Sequence, residues 1–124
     1  MSSNIFDIHH ASLLVSDVGA SLEFYCDVLG LEVSDARPDL GYPGVWLVIG
    51  QHQLHLMQLP NPDSVDGRPP HGGRDHHVAL AVYDLSQIQN RLDQRSIAYT
   101  LSKSGRTALF VRDRDANAIE LIEC

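Results

Sequence analysis

The stretch "DIHHASLLVSDV", from Asp7 to Val18, occurs again in altered form as "DHHVALAVYDL", from Asp75 to Leu85. In each copy a pair of histidines opens an apolar run, and an aspartate follows the second histidine by seven residues. Internal similarity of this kind is typical of a chain built from two copies of one structural unit. The repeat therefore predicts two units, each beginning with a strand headed by histidine.

The residues after each predicted strand have the spacing of a helix. In the first copy "VGASLEFYCDVLG" follows the N-cap residue Asp17 and ends at Gly30, and in the second copy "LSQIQNRLDQRS" follows Asp84. Three short apolar runs come next in each copy, with a hairpin turn expected at Gly50 and Gln51. These runs are "LEVSD", "VWLVIG" and "QLHLMQL" in the first copy, and "AYTLS", "TALFVRD" and "AIELIE" in the second. The predicted fold class is therefore α+β, with two βαβββ modules in tandem.

The length of 124 residues fits a single domain covering 1–124. We place module one at about 7–59, a linker at 60–75 and module two at about 76–124. The linker "PNPDSVDGRPPHGGRD" holds four prolines and three glycines, so it predicts a loop rather than a helix or strand.

Composition narrows the class of protein. The chain is 44% hydrophobic and 20% charged, which suits a globular domain with one core. Its net charge of −7 and scattered basic residues argue against a nucleic acid partner. No apolar run approaches a signal peptide or a membrane span. Cys26 and Cys124 form neither a disulfide framework nor a CxxC metal pair. We therefore expect a cytoplasmic protein with no membrane partner.

Alternation along the strands separates a helix face from an opposite face. In the first strand Ala11, Leu13 and Val15 share the face expected under a helix, and His10 and Ser12 share the other. The same alternation assigns His55, His77 and Glu120 to the faces away from the helices. Ala79 and Ala81 share the face of His77, and their small side chains leave the space that a ligand needs.

Four potential metal ligands thus occupy the first and last strands of the two modules: His10, His55, His77 and Glu120. Imidazoles and a carboxylate with open positions suit a divalent Fe, Mn, Ni, Co or Zn ion. An alternative for His55 remains open, namely a pocket residue that contacts substrate or water instead of the metal.

The sequence resembles the vicinal-oxygen-chelate superfamily of glyoxalase I, fosfomycin-resistance thiol transferases, extradiol dioxygenases and bleomycin-resistance proteins. The resemblance spans nearly the whole chain and rests on "HHASLLVSDVGASLEFYCDVLGLEV", "HHVALAVYDL" and "FVRDRDANAIEL", the last matching a "DPDGN-x-IE" pattern. It implies metal ligands at His10, His77 and Glu120, and it places His55 where glyoxalase I has a glutamate. Arg114 and Ala116 replace the proline and glycine of the pattern, which leaves the shape of that turn open.

The resemblance also implies curled mixed sheets that form a cleft, a homodimer, and a metal that chelates vicinal oxygens of a small substrate. The site would be assembled from His10 and His55 of one chain and His77 and Glu120 of the other, or within one chain. A lyase or isomerase with Glu120 as the catalytic base is favoured. The alternatives are an Fe(II) extradiol-type dioxygenase, a thiol transferase, and a drug-binding protein without catalysis.

Weaker predictions concern side chains around this site. Ser12, Arg68, Arg74 and Arg106 are candidates for contact with substrate, the arginines as cations for an anionic group. Three other histidines are given non-ligand roles: His9 and His76 are expected to pack or cap, and His52 to be solvated in a turn. His71, in the linker, is expected to be solvated unless the linker acts as a lid.

Overall fold

The computed structural model describes residues 3–124. The first module contains β1 (His10–Leu14), α1 (Val18–Leu22), a π-helical segment (Glu23–Val28), β2 (Glu32–Val33), β3 (Gly44–Ile49) and β4 (His52–Met57). The second contains β5 (His77–Val82), α2 (Leu85–Gln94), β6 (Tyr99–Leu101), β7 (Ala108–Arg112) and β8 (Ala118–Glu123). A 3₁₀ turn at Gly72–Arg74 precedes β5. The predicted order βαβββ is therefore confirmed in both modules.

Each module builds its own four-stranded sheet, and the two sheets have the same topology. The strand orders are β1-β4-β3-β2 and β5-β8-β7-β6, with the first and last strands of each module parallel. Ser12 pairs with His55 across β1 and β4, just as Ala79 pairs with Glu120 across β5 and β8. β1 and β5 are terminal strands, so each has one edge without a strand partner in its sheet.

The first helix differs from the continuous α-helix that its spacing predicts. After Leu22 the chain continues as a π-helix. The wider turn brings Phe24 and Tyr25 into the core together, although they are adjacent in sequence, and their rings meet edge to face at 4.9 Å. The predicted N-caps are present, since Asp17 accepts a hydrogen bond from the amide of Ala20 and Asp84 from that of Ser86.

One hydrophobic core lies between the helices and the sheets. Its fully buried side chains come from both modules and include Tyr25, Leu47, Leu54, Leu92, Leu109, Ile119 and Leu121. The predicted helix faces are confirmed, because Val15 is buried and Val78, Leu80 and Val82 pack against this core. No helix among residues 3–124 is long and apolar enough to cross a membrane.

The turn between β7 and β8 joins the modules and closes without proline or glycine. The amide of Asp113 donates to the carbonyl of Asn117, and Ala116 takes the left-handed conformation at φ 67°. From this turn the carboxylate of Asp115 accepts a hydrogen bond from the backbone amide of Ser16, and the side-chain Nδ2 of Asn117 donates to the carbonyl of Leu14. The turn therefore closes with one strained alanine, and Glu120 lies on its predicted face.

Candidate active site

The first half of the candidate site is a column of three stacked rings on the sheet of module one. The ring of His55 lies 4.1 Å from that of His10, at an interplanar angle of 18°. On the neighbouring strand the ring of Trp46 lies 4.5 Å from that of His55, at 9°. Strand register places Trp46 directly beside His55 across β3 and β4. His10 is paired with Gln53, so its ring reaches that of His55 diagonally across β1 and β4.

The imidazole of His55 is partly buried in this column. Desolvation lowers its pKa below the ordinary value of 6.5, and the nearby positive charges of His10, His9 and Arg37 lower it further. His55 is therefore neutral at neutral pH, which is the form that binds a metal. Its Nε2 lies 2.8 Å from Oε1 of Gln53, a contact that strand alternation does not predict.

The second half pairs a histidine with a buried carboxylate on the sheet of module two. Nε2 of His77 lies 3.3 Å from Oε1 of Glu120, whose side chain is only 5% exposed. The other oxygen, Oε2, has no hydrogen-bond partner within residues 3–124, and Nη2 of Arg106 is 3.6 Å away from it. The rings of Phe110 and His77 meet nearly at right angles, with 5.0 Å between their centroids.

A backbone contact at Nδ1 determines which nitrogen of His77 carries the hydrogen. Its Nδ1 lies 2.9 Å from the backbone oxygen of Asp75, and a carbonyl can only accept a hydrogen bond. Nδ1 therefore carries the hydrogen, and in the neutral ring Nε2 presents a lone pair toward Glu120.

Within one chain, the pair His10 and His55 does not meet the pair His77 and Glu120 to form one cluster of ligands. In the part of the chain that the structure describes, no three histidine, cysteine or acidic side chains are gathered as metal ligands would be. A cavity of about 620 Å³ nevertheless spans the unpaired edges of β1 and β5, and both His10 and His77 line it. One predicted ligand from each module thus borders the same space.

The weaker predictions divide into residues near this site and residues away from it. Ser12 is exposed on the face of His10, and Arg106 approaches Glu120. Arg68 is bound to the carboxylate of Asp75 outside the ring column, and Arg74 is exposed in the 3₁₀ turn.

The roles predicted for the other four histidines also need correction. His9 and His76 are both exposed, so the expectation that they pack is wrong; His9 instead contacts Nδ1 of His10 at 2.9 Å. His52 opens β4 rather than lying in a turn, with its side chain 44% exposed. His71 is not a solvated linker residue, because it hydrogen-bonds Thr100 at 2.6 Å and its ring packs against Phe110.

The model of the Glyoxalase/Bleomycin resistance protein/Dioxygenase superfamily matches residues 7–121. The chain belongs to this superfamily, as the repeat of "HHASLLV" and "HHVALAV" and the paired sheets lead one to expect.

Relatives within the superfamily differ in their named activities. The chain is 27% identical to "Glyoxylase I 4" of Arabidopsis thaliana, covering 98% of this chain and 72% of the relative. It is 25% identical to the mitochondrial methylmalonyl-CoA epimerase of Mus musculus, covering 90% and 68%. A crystal structure of the fosfomycin resistance protein FosX from Listeria monocytogenes, in complex with Mn(II), matches with a TM-score of 0.73 at 15% identity, covering 96% and 92%. The last of these likenesses supports the fold alone.

Proposed function

We propose that this protein is a divalent-metal-dependent enzyme and that His10, His55, His77 and Glu120 hold its metal ion. One observation carries the proposal: Nε2 of His77 and Oε1 of Glu120 face each other at 3.3 Å. When the ring is neutral both atoms are acceptors, so a proton or a cation must lie between them. Metal bonds of about 2.1 Å from each atom to one ion suit this separation.

The burial of Glu120 supports the same conclusion. A carboxylate that is removed from water is unfavourable unless it is paired, and Oε2 has no hydrogen-bond partner among the described residues. The guanidinium of Arg106 is 59% exposed, so at 3.6 Å it compensates this charge only in part. A divalent cation would neutralise the carboxylate more completely. The donor set of imidazoles and one carboxylate favours Mn, Fe, Co, Ni or Zn over Ca or Mg.

We further propose that two copies of the chain complete the site. His10 and His55 of one subunit would meet His77 and Glu120 of the other. The unpaired edges of β1 and β5 favour pairing with another strand. Just before β1 the side chains of Ile5, Phe6 and Ile8 are 81%, 95% and 75% exposed, so a partner subunit would bury apolar surface there.

The substrate would be a small molecule with two neighbouring oxygens. When bound, the metal supplies Lewis-acid stabilisation of negative charge that develops on a substrate oxygen. Glu120 is the candidate base, because its carboxylate can accept a proton from a carbon next to a carbonyl group. Ala79 and Ala81 leave room above the sheet, and Trp46 and Phe110 give apolar walls. The exposed guanidinium of Arg106 can meet an anionic group of the substrate.

Proton transfer of this kind favours a lyase or isomerase. The likeness to proteins named as a glyoxylase I and as a methylmalonyl-CoA epimerase agrees with this preference. The proton removed by Glu120 would return to the same or the neighbouring carbon, with no change in the oxidation state of the protein.

The contact between His55 and Gln53 favours a second candidate. If Nε2 of His55 stays with the amide oxygen at 2.8 Å, the remaining ligands are His10, His77 and Glu120. Two histidines and one carboxylate form the facial triad of Fe(II) oxygenases, so a ring-cleaving dioxygenase is the alternative. Thiol transfer to an epoxide and binding without turnover are outcomes of the test below.

The test begins with the metal content of the purified protein. The protein is then stripped, reconstituted without oxygen with each of the five ions, and assayed on 2-oxoaldehyde–thiol adducts, 2-substituted acyl thioesters, catechols and epoxides. The proposal predicts stoichiometric metal and turnover of the first or second substrate class. Turnover of catechols with Fe(II) alone would favour the dioxygenase. Failure of every ion to bind would overturn the proposal in favour of a metal-free binding protein.

A further inference from the structure

We propose that Asp75 is the positioning residue for His77, fixing the ring with hydrogen on Nδ1 and its Nε2 lone pair toward the metal position. The inference rests on the proposed function, since His77 is a ligand only in that context. The contact that carries it is the 2.9 Å approach of Nδ1 to the backbone oxygen of Asp75. A histidine ligand typically donates its second nitrogen to such an acceptor, which orients the ring.

A backbone carbonyl orients a ring only if the carbonyl is itself held in place. Arg68 and Arg112 hold Asp75 through its carboxylate, and we call these three residues the clamp. Oδ2 of Asp75 accepts hydrogen bonds from Nη1 of Arg68 at 3.0 Å and Nη1 of Arg112 at 2.9 Å. Oδ1 accepts from the amide of His76 at 2.8 Å. The carboxylate is only 9% exposed, so both of its oxygens are bound inside the protein.

Arg112 connects this clamp around Asp75 to the β7–β8 turn and to the linker. Its Nη1 donates to the carbonyl of Ala116 in the β7–β8 turn, and its Nη2 donates to the carbonyl of Pro69 in the linker, each at 2.7 Å. The end of the linker is therefore fixed to the sheet that carries Glu120.

Among the described residues of module one, no side chain plays the part of Asp75 at the equivalent place. Ile8 stands two residues before His10, as Asp75 stands two residues before His77, and its side chain is 75% exposed. Nδ1 of His10 contacts a ring nitrogen of His9 at 2.9 Å instead of a carbonyl oxygen. A backbone carbonyl therefore positions the ring of His77 in the metal-free protein, whereas at Nδ1 the ring of His10 has the contact with His9 instead.

The experiment compares Asp75→Ala with wild type in two measurements. Long-range ¹⁵N–¹H NMR on the metal-free protein at pH 8 reports the tautomer of His77. Titration with Co²⁺, followed by its visible absorption, reports metal affinity. We expect wild-type His77 to carry hydrogen on Nδ1 and the variant to show a mixture of tautomers. We also expect Co²⁺ affinity to fall about 10–100-fold.

Asp66→Ala is the matched control, because it removes the same charge from an exposed linker position whose side chain makes no hydrogen bond within residues 3–124. We expect this variant to keep the wild-type tautomer of His77 and a Co²⁺ affinity within twofold of wild type. Should Asp75→Ala fail to fold, Arg68→Ala removes one arm of the clamp and is read in the same way, with a smaller change in the same direction.

An unchanged tautomer together with unchanged affinity in a folded Asp75 or Arg68 variant would overturn the proposal. If wild type binds no Co²⁺, the proposed function fails. The tautomer measurement on the metal-free protein still decides whether Asp75 positions His77, so the two failures are distinguishable.

Discussion

The hydroxyl of Tyr25 in module one donates a 2.6 Å hydrogen bond to Oδ2 of Asp113 in module two. Both residues are buried, and the bond joins the π-helical segment to the β7–β8 turn. Burial raises the pKa of Asp113, and the hydrogen bonds from Tyr25 and Asn117 act in the opposite direction. The modules are therefore held together by a polar contact in a nonpolar setting, which makes its loss costly.

We expect Tyr25→Phe to lower the free energy of unfolding by about 1–3 kcal/mol, because it leaves a buried acceptor with one donor fewer. Urea denaturation followed by circular dichroism measures the loss. Tyr83→Phe is the control, since that ring is 98% exposed, and it should change stability by less than about 0.5 kcal/mol. Equal effects of the two changes would mean that the bond to Asp113 does not stabilise the joined modules.

The strained alanine of the β7–β8 turn gives a stabilising prediction. Ala116 has φ 67°, where glycine is free of the steric cost that a Cβ introduces. We expect Ala116→Gly to raise the free energy of unfolding by about 0.5–1 kcal/mol after the greater entropy of glycine in the unfolded chain is counted. Ala20→Gly, inside α1, should lower it by about 1 kcal/mol. A loss of stability at both positions would contradict the strained conformation of Ala116.

Strand phase predicts which histidine of the pair at the start of β5 matters. His77 faces Glu120, whereas the side chain of His76 is 76% exposed beside Asp75. We expect His77→Ala to remove most bound metal after reconstitution and dialysis, and His76→Ala to retain at least half, as measured by elemental analysis. Similar losses of metal in both variants would contradict the assignment of His77, rather than His76, to the face that binds the metal.

The sequence predicts the parts of the site that follow from local periodicity. Alternation within single strands assigned His10, His55, His77 and Glu120 to the correct faces, because a strand turns its side chains over at every residue. The repeat of the two modules then predicted that these residues stand in equivalent positions, and the register of Ser12 with His55 and of Ala79 with Glu120 confirms it.

The parts that could not be predicted depend on contacts between distant residues. Arg112 meets Asp75 across 37 positions of the chain, and neither residue lies in a pattern that marks the pair. His71 looked like a linker residue because prolines and glycines surround it, yet its partners Thr100 and Phe110 lie on later strands. The stacking of Trp46 on His55 required the pairing of β3 with β4, which periodicity alone does not align.

The lowered pKa of His55 gives a pH dependence with a definite sign. Below its ordinary pKa of 6.5 the unfolded chain binds more protons at this ring than the folded protein does. The contribution of His55 to stability is therefore complete above pH 6.5 and is lost as pH falls through that value toward the lower folded pKa. The free energy of unfolding of metal-free wild type minus that of His55→Gln should be largest at pH 8 and shrink by pH 5. Urea denaturation at pH 8, 6.5 and 5 checks this, and a difference that grows on acidification would contradict it.

The most direct test of the shared metal site is complementation between two inactive double variants. One carries His10→Ala with His55→Ala, and the other carries His77→Ala with Glu120→Gln. Each alone should bind no metal, because every site in its dimer lacks one half. Co-expressed, they should form mixed dimers in which the intact halves meet in one site, so elemental analysis of the purified mixed dimer should recover one metal ion for each pair of chains. Stoichiometric metal in wild type with none in the mixed dimer would contradict a site shared between two copies of the chain.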